Sequence, residues 1–142
     1  MKYLKLYNES VSNESVSNEE ILDICGDYLV DTMDIIRDFK YRISKSNVAD
    51  NIEYIAFFRS EPNHNRFSWD VVKDDFIRLV NTLNTKFNVL KITIMTNKGT
   101  PIKRENPEEP TIDHILTVDD ILNDNIIDGV DDIMIIEIKL KK

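Results

Sequence analysis

Two hydrophobic periods follow one another between Phe67 and Thr96, and they predict one helix and one strand. In the first part, apolar residues recur every three or four positions while charged and amide side chains fall on the other side, as in an amphipathic helix. Ser68 stands at the N-cap position of this helix. After Asn88 the period changes to two, which is typical of a strand with one apolar face. The helix stripe, which includes Trp69 and Phe76, is predicted to lie in the core.

The rest of the chain shows further elements on both sides of this unit. Residues 2–7 alternate as a short strand, and the unit Asn-Glu-Ser-Val-Ser then occurs twice in a polar spacer. A capping box at Ser17 starts a helix that runs to about Thr32 or Met33. Gly26 inside this helix either costs about 1 kcal/mol relative to Ala or marks close packing against a neighbour. The remaining predicted elements are a hairpin of residues 39–44 and 52–59, a short helix of residues 118–122 capped by Thr117, and a closing strand of residues 132–140.

The order of these elements predicts an α+β fold. The first six follow the β-α-β-β-α-β order of a ferredoxin-like fold, with an extra C-terminal strand. This arrangement places two helices on one face of a mainly antiparallel sheet and leaves the other face open. If the first strand is instead a loose tail, the C-terminal strand pairs in its place. We expect residues 1–17 to hold the first strand and the polar spacer, and residues 18–142 to form a single domain with an acidic loop at residues 104–132.

Charge is segregated along the chain to a degree that the net charge of −8 hides. From Leu6 to Ile36 there are eight acidic residues and no Lys or Arg, and from Glu105 to Asp132 there are ten acidic residues and again none. The stretch between them, Arg37 to Arg104, carries thirteen basic against seven acidic residues. Two explanations stay open: a solvated surface whose halves attract one another, or a basic or acidic face made for a partner.

No residue pattern predicts a catalytic, metal or cofactor site. The three glycines cannot build a phosphate-binding loop, and His64 and His114 sit in different loops without ligands at zinc spacing. The acidic C-terminal segment fails the EF-hand pattern because Ile126 stands where an oxygen ligand is needed. Cys25 lies on the apolar face of the first helix, where we expect it to pack in the core with a raised thiol pKa. Because a single cysteine cannot form an internal disulfide, its presence favours an intracellular, reducing setting. We therefore expect no cofactor and no enzymatic activity.

Candidate partner residues lie on the open sheet face and in the acidic segment. Proteins with an open sheet of this kind bind single-stranded RNA through aromatic and basic side chains on that face. The acidic net charge of this chain argues against a nucleic-acid partner and for a protein partner. If Tyr54, Ala56 and Phe58 face the helices, Phe57 and Arg59 belong to the open face. Alternatively, the acidic loop covers this face. The candidate surface comprises Lys40, Arg42, Phe57, Arg59 and Lys91 on the sheet, and Asp119, Asp120, Asp124 and Asp128 in the acidic segment.

The N-terminal residues 1–9, MKYLKLYNE, resemble the short lysine-aromatic-glutamate leader on many small proteins of large tailed bacteriophages. In some of those phages a related leader directs proteins into the prohead and is clipped after Ser/Ala-x-Glu-like sites, a pattern that residues 12–14 and 17–19 match. The Tyr7-Asn8 pair departs from the more usual Phe-Glu. The resemblance implies a small phage accessory protein in the cytoplasm of an infected host, or in the virion.

These observations together predict a non-enzymatic accessory or interaction protein that acts through protein-protein contacts. Three alternatives stay open: a virion-packaged or structural protein with a removable N-terminal leader, an acidic counter-defence protein that mimics nucleic acid, and a protein that binds single-stranded RNA on its open sheet face. No run of residues approaches the ~18 apolar residues of a membrane span, so a soluble protein without membrane contact is expected. The oligomeric state is left open.

Overall fold

The computed structural model describes residues 13–49, 51–61, 63–97, 99, 101–105 and 111–142. Within these ranges, one open antiparallel sheet of five strands and four helices establish the α+β class. In chain order the elements are α1 (Asn13–Tyr28), α2 (Val30–Ile35), β1 (Phe39–Lys45), β2 (Ile52–Arg59), α3 (Trp69–Lys86), β3 (Asn88–Thr96), β4 (Asp113–Leu116), α4 (Val118–Leu122) and β5 (Ile133–Lys141).

The C-terminal strand lies at the centre of the sheet, whose order is β1-β2-β5-β3-β4. It is antiparallel to β2 on one side and to β3 on the other, so β2 and β3 run parallel and are connected through α3. Ile136, Ile138 and Leu140 alternate on its core face and are fully buried, as expected for a central strand. The predicted ferredoxin-like order is not confirmed by this five-stranded arrangement, and the predicted first strand at residues 2–7 lies outside the described residues.

The first helix begins earlier than its sequence pattern predicts. It starts at Asn13, so the capping box at Ser17 is wrong as a helix start, and the second half of the polar spacer is helical. The prediction for Gly26 is consistent with the structure, because a Cβ atom at this position would lie 3.2 Å from the Tyr41 hydroxyl. That distance is short, so Gly26 allows the close approach of α1 to β1.

The predicted first helix is divided in two at Leu29, whose backbone (φ −105°, ψ 12°) leaves the regular helical conformation. Immediately after the break, the carboxylate of Asp75 on α3 accepts hydrogen bonds from the backbone N–H of Thr32 at 3.2 Å and from its hydroxyl at 2.8 Å. The guanidinium of Arg78 donates to the same carboxylate at 2.5 Å. The two buried bonds between Thr32 and Asp75 hold α2 against α3, and they have no signal in the local sequence.

The central helix agrees with the prediction in position and facing, and the strand after it agrees in position. The side chain of Ser68 accepts a hydrogen bond from the N–H of Asp70, as an N-cap does. The ring of Phe76 meets Trp69 edge-on at 5.7 Å and Phe57 of β2 edge-on at 5.4 Å. This cluster joins α3 to the middle of the sheet, so the stripe of α3 is core as predicted.

Two facing predictions are wrong for different reasons. The period of two after Asn88 predicts Leu90 on the apolar face of β3 together with Ile92 and Ile94. A bulge between Val89 and Lys91 shifts the alternation by one residue, so Val89 is buried and Leu90 is exposed. In β2, Phe57 is fully buried on the helix side, and Tyr54 and Phe58 are partly exposed on the other side. The alternation of β2 was ambiguous because both sets of alternating positions contain aromatic or aliphatic residues.

The predicted acidic loop at residues 104–132 contains a strand and a helix in its described part. Strand β4 was missed, while the short helix α4 has the predicted bounds and the predicted cap: Thr117 and Asp120 form a reciprocal capping box. Ile121 and Ile126 are fully buried, and α4 packs against α3. Helix α4 therefore lies on the helix side of the sheet, whereas β4 extends the sheet at its edge.

Burial protects the single thiol, which gives a first testable prediction. Cys25 is buried, and loss of hydration raises the pKa of its thiol from 9.0 to about 12. We expect it to react with Ellman's reagent at pH 8 only at the rate of global or local unfolding, and to react at once in denaturant. Because the unfolded chain ionises first, the thiol lowers the free energy of unfolding as the pH rises from about 9 towards about 12.

A Cys25→Ser variant serves as the control. It lacks the ionisation, so its stability should fall less steeply between pH 9 and pH 10.5 than that of the wild type. Immediate labelling of the native protein at pH 8 would contradict the buried position.

Candidate functional surfaces

Four rows of side chains form the face of the sheet opposite the helices, here called the open face. The register aligns residues of neighbouring strands across the sheet, and all of these side chains are partly or fully exposed. In the strand order β1, β2, β5, β3, β4, the rows are Lys40, Phe58, Ile135, Met95 and Asp113; then Arg42, Ala56, Glu137, Thr93 and Ile115; then Ser44, Tyr54, Lys139 and Lys91; and last Ile52, Lys141 and Asn88.

The aromatic residues of the open face lie under basic groups. The guanidinium carbon of Arg42 is 5.1 Å from the centre of the Phe58 ring, and the Lys139 ammonium is 6.0 Å from the centre of the Tyr54 ring. Both are cation–π geometries, and they hold the basic groups over the sheet surface.

Two of the predicted sheet residues belong elsewhere. Phe57 is fully buried against the helices, and Arg59 at the end of β2 donates to the Arg37 carbonyl at 3.1 Å and to Glu61 at 2.8 Å. Arg59 therefore stabilises the loop after β2. Tyr54 and Phe58 take the places on the open face that Phe57 and Arg59 were predicted to occupy.

Five basic residues of this surface are Lys40, Arg42, Lys91, Lys139 and Lys141, here called the open-face cations. Within the part of the chain that the structure describes, none of them forms a salt bridge. Lys91 and Lys139 stand directly opposite each other on neighbouring strands, an arrangement of like charges that destabilises a sheet. The open face thus holds positive charge that the described residues do not neutralise.

The carboxylates of the acidic segment are in contrast engaged with basic residues. The ammonium of Lys73 on α3 lies 2.8 Å from Asp124, and the guanidinium of Arg104 lies 2.6 Å from Asp128. The bond with Asp124 raises the pKa of Lys73. Of the four predicted acidic residues, Asp119 is exposed in the first turn of α4. Three of the four carboxylates form salt bridges that hold the segment against α3 and residues 103–104.

Asp120 illustrates that structural role. Partial burial opposes its ionisation, but hydrogen bonds from Thr117 and from the Asn125 amide, together with the charge of Lys103 at 3.6 Å, outweigh the burial and hold the pKa of Asp120 below its usual value. A lowered folded-state pKa means that this carboxylate stabilises the fold above the unfolded-state pKa. The contribution is lost as the pH falls through the folded value.

Two surface depressions lie beside the acidic segment. One, of about 620 Å³, is lined by residues 127–132 with Arg66 and Pro101, and the other, of about 480 Å³, by residues 119–120 and 123–125 with Arg104 and Glu105. His114 lies on β4 rather than in a loop, is buried, and contacts the Thr96 hydroxyl at 3.3 Å. Among the described residues there is no group of three or more His, Cys, Asp or Glu side chains arranged to hold a metal ion.

The predicted processing sites fall at the first helix. Asn13-Glu14 and Asn18-Glu19 both lie within α1, so a protease that needs an extended substrate must first unwind this helix. Across the described ranges, the structure contains no helix with the length and apolar character to cross a membrane.

Comparisons with protein families, curated proteins and solved structures give no match for this chain.

Proposed function

We propose that this chain is a non-enzymatic interaction protein that binds an acidic protein partner through the open face of its sheet. The observation that carries the proposal is the difference in pairing between its two charged regions. Cations beside the acidic segment are held in salt bridges, whereas the open-face cations have no carboxylate partner among the described residues. Unpaired positive charge on an exposed surface attracts and orients a partner of opposite charge.

The other side chains of the open face favour a protein over a nucleic acid. Ile135, Met95 and Ile115 place aliphatic surface between the basic groups, and Glu137 puts a carboxylate in the middle row, where it repels phosphates. A protein segment that carries both apolar and acidic side chains matches this mixture. The setting of this proposal is an infected bacterial host, as the resemblance of residues 1–9 to phage leaders implies.

The proposal is tested by capturing partners from host lysate on the immobilised chain and by repeating the capture with Lys40→Glu combined with Arg42→Glu. We expect this double variant to lose the partner, since it reverses two of the five open-face cations. A matched control is Arg37→Glu with Lys86→Glu, which changes the net charge equally at exposed positions away from the open face. The control should retain the partner.

Two outcomes would contradict the proposal. One is capture that is insensitive to the open-face variant. The other is salt-dependent binding of a mixed-sequence single-stranded RNA that the open-face variant abolishes, because this result would assign the surface to nucleic acid.

A further inference from the structure

A second surface of the chain, on α2, carries both apolar and acidic side chains, the combination proposed above for a partner of the open face. Its outward side chains alternate between apolar and acidic residues: Val30, Asp31, Met33, Asp34 and Ile35 are all exposed. Val30, Met33 and Ile35 are 54%, 42% and 67% exposed and make up three of the eight strongly exposed large apolar side chains among the described residues. Such a concentration on one short helix is unusual for a surface without a partner.

The α2 surface carries negative charge that no basic residue on its own helix offsets. There is no Lys or Arg from residue 6 to residue 36, and neither Asp31 nor Asp34 forms a salt bridge with the rest of the described chain. Its charge and its apolar content are therefore complementary to those of the open face, where basic groups surround aromatic and aliphatic side chains.

The two surfaces cannot meet within one molecule. The helix α2 is fastened to α3 by the bonds between Thr32 and Asp75, and α3 covers the core face of the sheet. The α2 surface and the open face consequently point to opposite sides of the molecule. A contact between them joins two copies of the chain head to tail, which is a heterologous interface.

We propose that the α2 surface of one copy docks on the open face of a second copy. This inference rests on the proposed function of the open face and names a second copy as its occupant. Apolar side chains of α2 lie against Phe58, Ile135 and Met95, and Asp31 and Asp34 meet the open-face cations. Because α2 has only six residues, the contact is small and the association weak, in the high-micromolar range.

Self-association is measured by sedimentation velocity of the full chain from about 10 μM to about 1 mM in about 150 mM salt, where the mutual repulsion of the net charges is screened beyond ~8 Å. We expect the average mass to rise with concentration. Lys40→Glu with Arg42→Glu, and separately Asp31→Lys with Asp34→Lys, should each weaken the association about tenfold or more. Asp119→Lys with Asp131→Lys is the matched control for the second variant, because both residues are exposed and lie away from α2.

Mixing the two interface variants is the decisive step. Each acidic surface in the mixture finds a basic one on the other variant, so an equimolar mixture should regain the association that both variants lack alone. An isologous contact between two open faces would instead persist in the α2 variant. Monomeric mass at about 1 mM, equal association in all variants, or no recovery on mixing would overturn this inference.

The two proposals fail separately. If the chain stays monomeric while the open-face variant loses a captured partner, the open face binds a different protein and only the inference about α2 is wrong. If neither capture nor association responds to the open-face variant, the proposed function is wrong as well. Circular dichroism of each variant confirms that the substitutions, all at exposed positions, leave the fold intact.

Discussion

Replacing Phe57 by alanine is expected to lower the free energy of unfolding by about 3–5 kcal/mol, whereas replacing its neighbour Phe58 by alanine costs less than about 1 kcal/mol. The two residues are adjacent on β2 but face opposite sides of the sheet. Phe57 is fully buried and contacts the rings of Phe76 and Tyr41, so its loss leaves a cavity between α3 and the sheet. Phe58 contacts Arg42 on the exposed side, where solvent fills the space.

The measurement is urea denaturation, followed by the fluorescence of the single tryptophan, Trp69, which lies in the same ring cluster. The pair is its own control, since both variants remove one phenyl ring from the same strand. The Phe57 variant should remain folded with an earlier midpoint, because domains of this size are typically stable by about 5–15 kcal/mol. Larger destabilisation by the Phe58 substitution would mean that β2 faces the other way.

Removing the charge of Lys142 is expected to destabilise the protein by about 3–5 kcal/mol, far more than a surface salt bridge contributes. The Lys142 ammonium lies 3.0 Å from Oε2 of Glu53, whose side chain is fully buried on the core side of β2. Neither oxygen of this carboxylate accepts a hydrogen bond in the described part of the chain, so the contact with Lys142 is an ion pair without hydrogen-bond geometry. Lys142→Met therefore leaves a buried negative charge without compensation.

A double-mutant cycle separates the charge pair from simple packing. Glu53→Leu combined with Lys142→Met removes both charges, and we expect it to recover most of the stability lost in Lys142→Met, because well-packed apolar residues replace buried pairs at little cost. Both free energies come from the same urea titrations. A loss below about 1 kcal/mol in the Lys142 variant would show that water reaches the Glu53 carboxylate and that the pair behaves as an exposed one.

The difference between β2 and α3 shows where sequence patterns stop being sufficient. The period of α3 is unambiguous, so its position, its Ser68 cap and its buried stripe could be predicted. Both sets of alternating positions in β2 contain apolar residues, and one set also contains Glu53, so the period could not show which side is buried. Lys142, far away in the chain, makes the burial of Glu53 tolerable, and local reasoning could not find that partner.

The candidate partner surface divides in the same way. Lys40, Arg42 and Lys91 could be identified because the alternation around them is clear, and the alternation of the closing strand likewise places Lys139 on the outward side. Tyr54 and Phe58 join them because the structure turns the other set of β2 positions toward the helices. The acidic residues near the C-terminus were identified as a cluster, but their role in fastening α4 and residues 123–128 to α3 depends on cations distant in the chain, such as Lys73. The segregation of charge along the chain predicts that acidic and basic stretches attract one another, but it does not show which residues form the ion pairs.

Hydrophobic period and capping act between residues close in the chain, so the α+β class, the hairpin, the central helix with its strand and the capped helix α4 could be predicted. Local patterns could not predict the central position of β5, the break at Leu29 held by Asp75, or the facing of Phe57. These features depend on contacts between residues far apart in sequence. The unpaired cations of the open face also could not be predicted from local patterns, because the salt bridges of the other cations are known only from the tertiary structure.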